Sequence, residues 1–300
     1  MKLSTFTDML FIESFVESLS LVKQMGFEYI DLRGKLDGDS IDTVSLSKAQ
    51  ALKLMMDEKG LKAGVVVSRG INPISLIGPH SYDKYDDEHH ARTLRVFDHV
   101  CDVADIFEAN HIRVNSLYRS TYFHLFNDEE RKDEFAHCIQ SLERIAERAQ
   151  ARGKIAILEN EPPSIGNKAE ELGQIVRAVN NPNLRVNWDI VNDWRAGVYP
   201  SLEQYDHVKG YLGGTHLKGA AKWFGTESAS NPYGLFRCIT IPDQDDFDHA
   251  PVLQAIAEHD PEAIMTIDTH FHNMGKEDRK IGATEVMRRS KVFFESILQR

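Results

Sequence analysis

Two hydrophobic rhythms alternate along the chain. Short apolar, β-rich runs fall at residues 3–6, 29–32, 63–67, 111–114, 155–158, 185–188, 211–216 and 263–267. Between them lie longer stretches whose apolar residues recur three or four apart, as in Phe135, Ile139, Leu142, Ile145 and Ala149, and again in Ala169, Leu172, Val176 and Val179. The first rhythm predicts strands and the second amphipathic helices. Their regular exchange is the signature of βα units feeding a parallel sheet. The apolar runs are eight in number, the number that closes a (β/α)₈ TIM barrel.

Signals at helix ends agree with this division. Asn127 followed by Asp128, Glu129 and Glu130 predicts an N-cap with acids in the first turn, and Arg152-Gly153 a cation and a glycine stop. A last helix is expected from about Thr284 to Leu298, with Val286, Phe293, Phe294 and Ile297 turned to the barrel. No linker, low-complexity tract or change of composition interrupts the pattern, so residues 1–300 are expected to form a single domain. Segments 116–127 and 219–248 are long for barrel loops, and both follow strands. Loops after strands build the active face of a barrel, so these two are expected to cover a pocket or to make a subunit contact within a homo-oligomer.

Composition narrows the function. With 42% hydrophobic and 27% charged residues, the chain has the balance of an ordinary globular protein. Its 35 Lys and Arg against 46 Asp and Glu leave a net charge of -11, which argues against nucleic acid as a partner. Asp8 and Glu13 stand where a signal peptide would run apolar, and no run of about 18 uncharged apolar residues occurs, so neither secretion by that route nor a membrane span is expected. Cys101, Cys138 and Cys238 are odd in number, far apart and without a CxxC, which suits a reducing cytoplasm better than a disulfide framework. Neither GxGxxG after a strand nor GxxxxGK[ST] occurs, so nicotinamide and P-loop chemistry have no support.

The chemistry gathers at the ends of the last four strands. Strand five runs into Glu159, strand six into Asp189, strand seven into His216 and strand eight into Asp268. Any one of these alone reads equally well as a helix N-cap or a solvated loop residue. Strand ends of a closed parallel barrel converge on one mouth, so together they predict three carboxylates and one imidazole around a point. Such a donor set suits one divalent ion, with Mn²⁺ favoured over Mg²⁺, Co²⁺ or Zn²⁺.

The segments LENEP, NWDIVN, THLKG and TIDTH are similar to motifs of the xylose isomerase-like TIM barrels grouped as sugar phosphate isomerases/epimerases, whose relatives include ketose 3-epimerases, hydroxypyruvate isomerase, inosose dehydratase and endonuclease IV. The resemblance covers essentially the whole chain. It implies Glu159, Asp189, His216 and Asp268 as metal ligands, Glu159 and Asp268 also as the acid/base pair, and Lys218 as a contact to substrate oxygens. Asn192 stands where several relatives carry a histidine that touches substrate or metal. Two departures stand out: strand eight of that family usually ends in glutamate rather than the shorter Asp268, and the extra histidines of a trinuclear zinc site are replaced here by Ser68, Arg69, Asn115 and Asn192.

Further contacts to substrate are expected from Glu161 and Asn160 beside Glu159, from Asp31 and Arg33 ending strand two, from Asn115 ending strand four, and from His270, two residues past Asp268. A salt bridge to Asp31 or another acid at the mouth is the alternative for Arg33, and a bond to a carboxylate the alternative for His270. Trp188 reads as packing, whereas Trp194 or Trp223 is a candidate face for a sugar ring. His89-His90 reads as part of a solvated helix start. The expected activity is that of an isomerase or epimerase acting on a sugar or polyol-derived ketone, a metal ion stabilising the enediolate left when a carbon next to the carbonyl loses its proton. Expulsion of a leaving group from the same intermediate would make it a dehydratase or lyase acting on a keto-sugar or inosose. A non-catalytic sugar-binding barrel is the alternative of another class.

Overall fold

The computed structural model describes residues 1–12, 14–68, 70–71, 87–119, 127–222, 236–239, 242, 245–270 and 281–299. Eight strands form one parallel sheet: β1 (Lys2–Thr5), β2 (Tyr29–Arg33), β3 (Lys62–Val67), β4 (His111–Val114), β5 (Ile155–Glu159), β6 (Leu184–Asp189), β7 (Leu212–Leu217) and β8 (Ile264–Ile267). Each pairs with the next in sequence from β2 to β8, and β8 pairs with β1. A parallel bridge between Phe6 and Asp31 brings the two remaining edges together, so the sheet curls into the expected TIM barrel. Every apolar run is a strand, displaced by no more than a residue or two at its ends.

Helices clothe the barrel because their apolar stripes have no other place to go. They are α1 (Phe15–Gln24), α2 (Leu46–Glu58), α3 (Asp87–Ile106), α4 (Asp128–Ala151), α5 (Ala169–Val179), α6 (Ile190–Arg195), α7 (Leu202–Val208), α8 (Ala250–His259) and α9 (Ala283–Leu298). The predicted start of α4 is a capping box: the Asn127 side chain accepts from the backbone N–H of Glu129 and Glu130, and Glu130 reaches back to the Asn127 N–H. Its stop is Gly153 at φ 62°, a left-handed position that suits glycine. Two small antiparallel hairpins, Lys35–Leu36 with Asp39–Ser40 and Gly219–Lys222 with Phe236–Ile239, were not foreseen from the pattern. The second opens one of the two long segments. Among the described residues, no helix is long and apolar enough to cross a membrane.

Alternation along each strand sorts the barrel interior into layers. One layer holds Ser4, Asp31 and Thr266, tied together: Asp31 accepts from Ser4 Oγ at 2.7 Å, Thr266 Oγ1 at 2.5 Å and the Val65 N–H at 3.0 Å. Burial pushes the Asp31 carboxyl up despite these donors. Asp31 is therefore a structural acid inside the barrel, not the mouth residue that its place on strand two suggested. Two residues further along the strands, the next layer carries Phe6, Arg33, Glu159, Asp189, His216 and Asp268.

The Asp31 network has no room for a larger neighbour. A Cβ added at Gly64 would come within 2.5 Å of Asp31 Oδ1 and 3.3 Å of Ile264. Gly64→Ala should cost about 1–3 kcal/mol, since overpacking forces the carboxylate off its donors. Chemical denaturation against Lys62→Ala, at an exposed position on the same strand, checks this: equal stability of the two variants would show that the interior has slack.

Candidate metal centre and active site

Glu159, Asp189 and His216 end three consecutive strands, and their ligand atoms lie within 4.8 Å of one another. Cross-strand register explains part of this, because Asp189 and His216 are direct partners on β6 and β7. His216 Nδ1 stands 2.9 Å from Glu159 Oε1 and 3.8 Å from Asp189 Oδ2. Asp189 divides its two oxygens. Oδ1 caps α6, accepting from the N–H groups of Val191 and Asn192, while Oδ2 faces the cluster. Asn160, offered above as a substrate contact, is instead fully buried and braces Asp189: its oxygen accepts from the Asp189 N–H and its amide donates to the Asp189 carbonyl and to Asp193.

A metal ion fits these three side chains. Asp189 Oδ2 and His216 Nδ1 are buried and make no hydrogen bond of normal geometry, although charged neighbours stand close. Two carboxylates and an imidazole match a hard or borderline divalent ion, whose ligands at about 2.1 Å span a comparable distance. Asn187 lies 3.0 Å from His216 Nε2 and fixes the ring; ligation through Nδ1 requires the Asn187 amide oxygen to accept the Nε2 proton.

Asp268 stands beside this group rather than within it. Its oxygens meet Arg33 Nη1 at 3.2 Å, His270 Nε2 at 2.8 Å and Lys218 Nζ at 3.5 Å. Lys218 also reaches Asp189 Oδ2 at 2.6 Å and His270 at 2.9 Å, and so bridges the triad and Asp268. His270 holds a left-handed backbone at φ 46°, a conformation sparsely used by non-glycine residues and common at functional sites.

The field of this cluster sets its protonation. Burial opposes charge throughout, yet Arg113 and His216 hold the Glu159 carboxyl far below the usual range, and Lys218 and His216 lower that of Asp189. His270, Arg33 and Lys218 outweigh burial to drive Asp268 well down. Burial and the charge of Glu159 push Glu161 up. His216 is raised to about 10 against burial, because Glu159, Asp189 and Asp268 surround it.

A cavity of about 520 Å³ opens over these groups. Arg33, Asn115, Glu159, Glu161, Asn192, His216, Lys218, Asp268 and His270 all line it, while Asp189 lies just beneath as a partner of His216 and Lys218. The sequence reading missed Arg113, Arg195, Asp8 and Tyr118, which line it too. Arg113 carried a usable signal: it is a charged residue inside a strand, two residues before Asn115 and on the same inward parity. Its guanidinium bridges Glu159 at 2.5 Å and Glu161 at 2.7 Å. Arg33 pairs with Asp8 and Asp268, not with Asp31.

Other candidates fall away from the site. Trp188 is fully buried, stacked on Tyr205 and bonded to Asp193. Trp194 packs against Tyr199 instead of facing the cavity, and Trp223 lies outside the described residues. Cys101 and Cys138 are buried thiols pushed up to about 12 by burial, far from nucleophiles; the Cys238 side chain lies outside the described residues. His89 and His90 sit on α3 and join no group of candidate metal ligands among the described residues.

A closed parallel barrel with three carboxylates and an imidazole at the C-terminal ends of its strands is a TIM barrel with a possible metal site at its mouth. The chain belongs to the family described as Xylose isomerase-like TIM barrel, which matches residues 19–290. Among solved structures it is similar to the probable 3-DHS dehydratase AsbF of Bacillus anthracis (17% identity, 98% of both chains, TM-score 0.71). It is likewise similar to D-psicose 3-epimerase with D-tagatose from Clostridium cellulolyticum H10 (14%, 99% of both chains, 0.70) and to the IOLI protein with a binding zinc atom (17%, 99% of this chain and 98% of that one, 0.71). At such identities the likeness is one of fold. The curated proteins contain no match.

In the metal-free protein His216 carries a proton at neutral pH, so a metal must displace it. Metal affinity should rise with pH up to about 10, by at most about tenfold per unit for one released proton. Titration calorimetry in buffers of different ionisation enthalpy measures that proton directly. His216→Ala should lose most of the metal, and its full retention by elemental analysis would remove His216 from the ligand set.

Proposed function

We propose that this protein is a divalent-metal-dependent isomerase or epimerase of a sugar or polyol-derived ketone. The observation that carries the reading is the convergence of Glu159, Asp189 and His216 in one buried group, with Asp268, Lys218 and His270 at their side under a cavity of sugar size. A divalent ion held by the triad, Mn²⁺ being favoured, would polarise a substrate carbonyl and stabilise the enediolate formed next to it. Membership of a family whose structural neighbours include a 3-epimerase and a dehydratase supports this class of chemistry.

The side chains divide the remaining work. Glu159 and Asp268 stand on strands five and eight, so the proton taken by one can be returned by the other from a different side of the substrate, which gives epimerisation; return to the adjacent carbon gives aldose–ketose isomerisation. Asp268 Oδ2, His270 Nε2 and Lys218 Nζ form a triangle with sides of 2.8, 2.9 and 3.5 Å. The ring nitrogen can either donate to Asp268 or accept from Lys218, so a proton arriving at Asp268 has an immediate second acceptor. Arg33 and Lys218 hold Asp268 in place, and the buried Asn115 Oδ1, which has no hydrogen-bond partner, offers an acceptor to a substrate hydroxyl.

The deciding experiment incubates the Mn²⁺-loaded protein with ketoses, aldoses and inososes in D₂O and follows them by NMR. Solvent deuterium next to the carbonyl with inversion or carbonyl migration supports the proposal; loss of water or an aglycone makes the enzyme a dehydratase or lyase; binding without exchange makes it a sugar-binding barrel.

Two substitutions separate the roles. Asp268→Asn keeps the shape but removes the basicity, so it should retain metal and lose about a hundredfold or more in exchange rate. Near-parent exchange would leave the proton transfer to Glu159 or another group. Lys218→Met takes a cation away from Asp189, so metal content should hold or rise while turnover falls about tenfold or more. Joint loss of metal and fold would make Lys218 structural.

A further inference from the structure

The sequence shows no obvious cluster of cations, but the barrel assembles one. Arg33, Arg113, Arg195 and Lys218 all line the cavity. Two of them form a wall of their own. Arg33 on β2 pairs in register with Val67 on β3, and Val67 pairs with Arg113 on β4. The two arginines therefore stand at one level of the barrel, two strand spacings or about 9.6 Å apart along the sheet, with an apolar side chain between them. All three line the cavity, facing the metal triad carried by β5, β6 and β7.

Neither guanidinium is used up. Each has five N–H donors. Arg33 engages Asp8 through Nε and Nη2 and Asp268 through Nη1, and Arg113 engages Glu159 through Nε and Glu161 through Nη2. Two N–H groups of Arg33 and three of Arg113 are left over. Charge points the same way. The four cations at the cavity meet five carboxylates, Asp8, Glu159, Glu161, Asp189 and Asp268. A divalent ion at the triad with neutral His216 turns that deficit into an excess of one positive charge, which a singly charged ligand cancels.

We infer that the substrate is itself an anion, a hydroxy-ketone or sugar acid whose carboxylate is taken by Arg33 and Arg113 while its carbonyl end lies at the triad. This rests on the proposed function for the position of the carbonyl end, but the anion site stands on the arginines alone. A planar carboxylate matches the guanidinium fork. Its single charge also matches the excess better than a phosphate ester, which carries about -1.5 to -2.

The test is calorimetry of the Mn²⁺-loaded full chain with D-fructose, D-fructuronate and D-fructose 6-phosphate. Fructuronate should bind at least about tenfold more tightly than fructose, with the advantage shrinking as salt is raised. Arg33→Met and Arg113→Met should each remove most of that advantage; circular dichroism and elemental analysis report on their fold and metal. Equal binding of fructose and fructuronate by the unsubstituted protein, absent binding of fructuronate, or an advantage untouched in both folded variants would overturn the inference. Tighter binding of fructose 6-phosphate would replace the carboxylate by a phosphate. Deuterium exchange into fructose without acid binding would sink the anion site and spare the proposed function. Acid binding through the arginines, with neither exchange nor elimination in any of the three ligands or the wider panel, would do the reverse.

Discussion

Burying an ionised side chain costs several kcal/mol unless an opposite charge and hydrogen bonds meet it. At the mouth of this barrel Glu159, Asp189 and Asp268 are each no more than 3% exposed, and His216 and Lys218 no more than 4%. The structure depends on how their charges alternate. Arg113, Glu159, His216, Asp189, Lys218, Asp268 and Arg33 form a run in which each carboxylate stands between cations. Phe6 packs against it, its ring nearly perpendicular to that of His216 and under the guanidinium of Arg33. Removing any one member leaves a buried charge without its counterpart, which is why substitutions here are best read through metal content and fold before activity.

The same compensation makes the site receptive. A proton on His216 does here what a divalent ion would do more strongly, since both neutralise Glu159 and Asp189. A divalent ion held there would exchange one charge for two and loosen the claim of those carboxylates on Arg113 and Lys218. The barrel mouth is polar in a directed sense: two carboxylates and an imidazole on strands five to seven, guanidinium groups on strands two and four, and the close group of Lys218, Asp268 and His270 on the side where the barrel closes. Beneath it lies the layer of Asp31, Ser4 and Thr266, satisfied within itself and remote from the cavity.

Much of this was legible along the chain. The eight strands, the start and stop of α4 and the terminal helix follow from residue period and capping, which act over a few neighbours. The convergence of Glu159, Asp189 and His216 was legible as well, because closing a parallel barrel fixes where every strand end must go. Their places at strand ends also marked Arg33 and Asn115 as cavity residues and the resemblance marked Lys218, while inward parity would have added Arg113 had a charged residue inside a strand been weighed as a contact.

What the sequence by itself determined is the periodicity, hence the barrel, and the chemical types available at its mouth. Which of them pair was decided only in three dimensions. Arg33 and Asp268 are 235 residues apart and meet because β2 and β8 flank the closing strand β1. Asp268 meets that guanidinium and His270 and lies beside Glu159, Asp189 and His216. Asn160 turns inward to brace Asp189, and Asp31 sinks below the mouth. Local propensity reports only the few residues around each position, whereas ion pairing and burial depend on distances of a few ångströms between strands far apart in the chain.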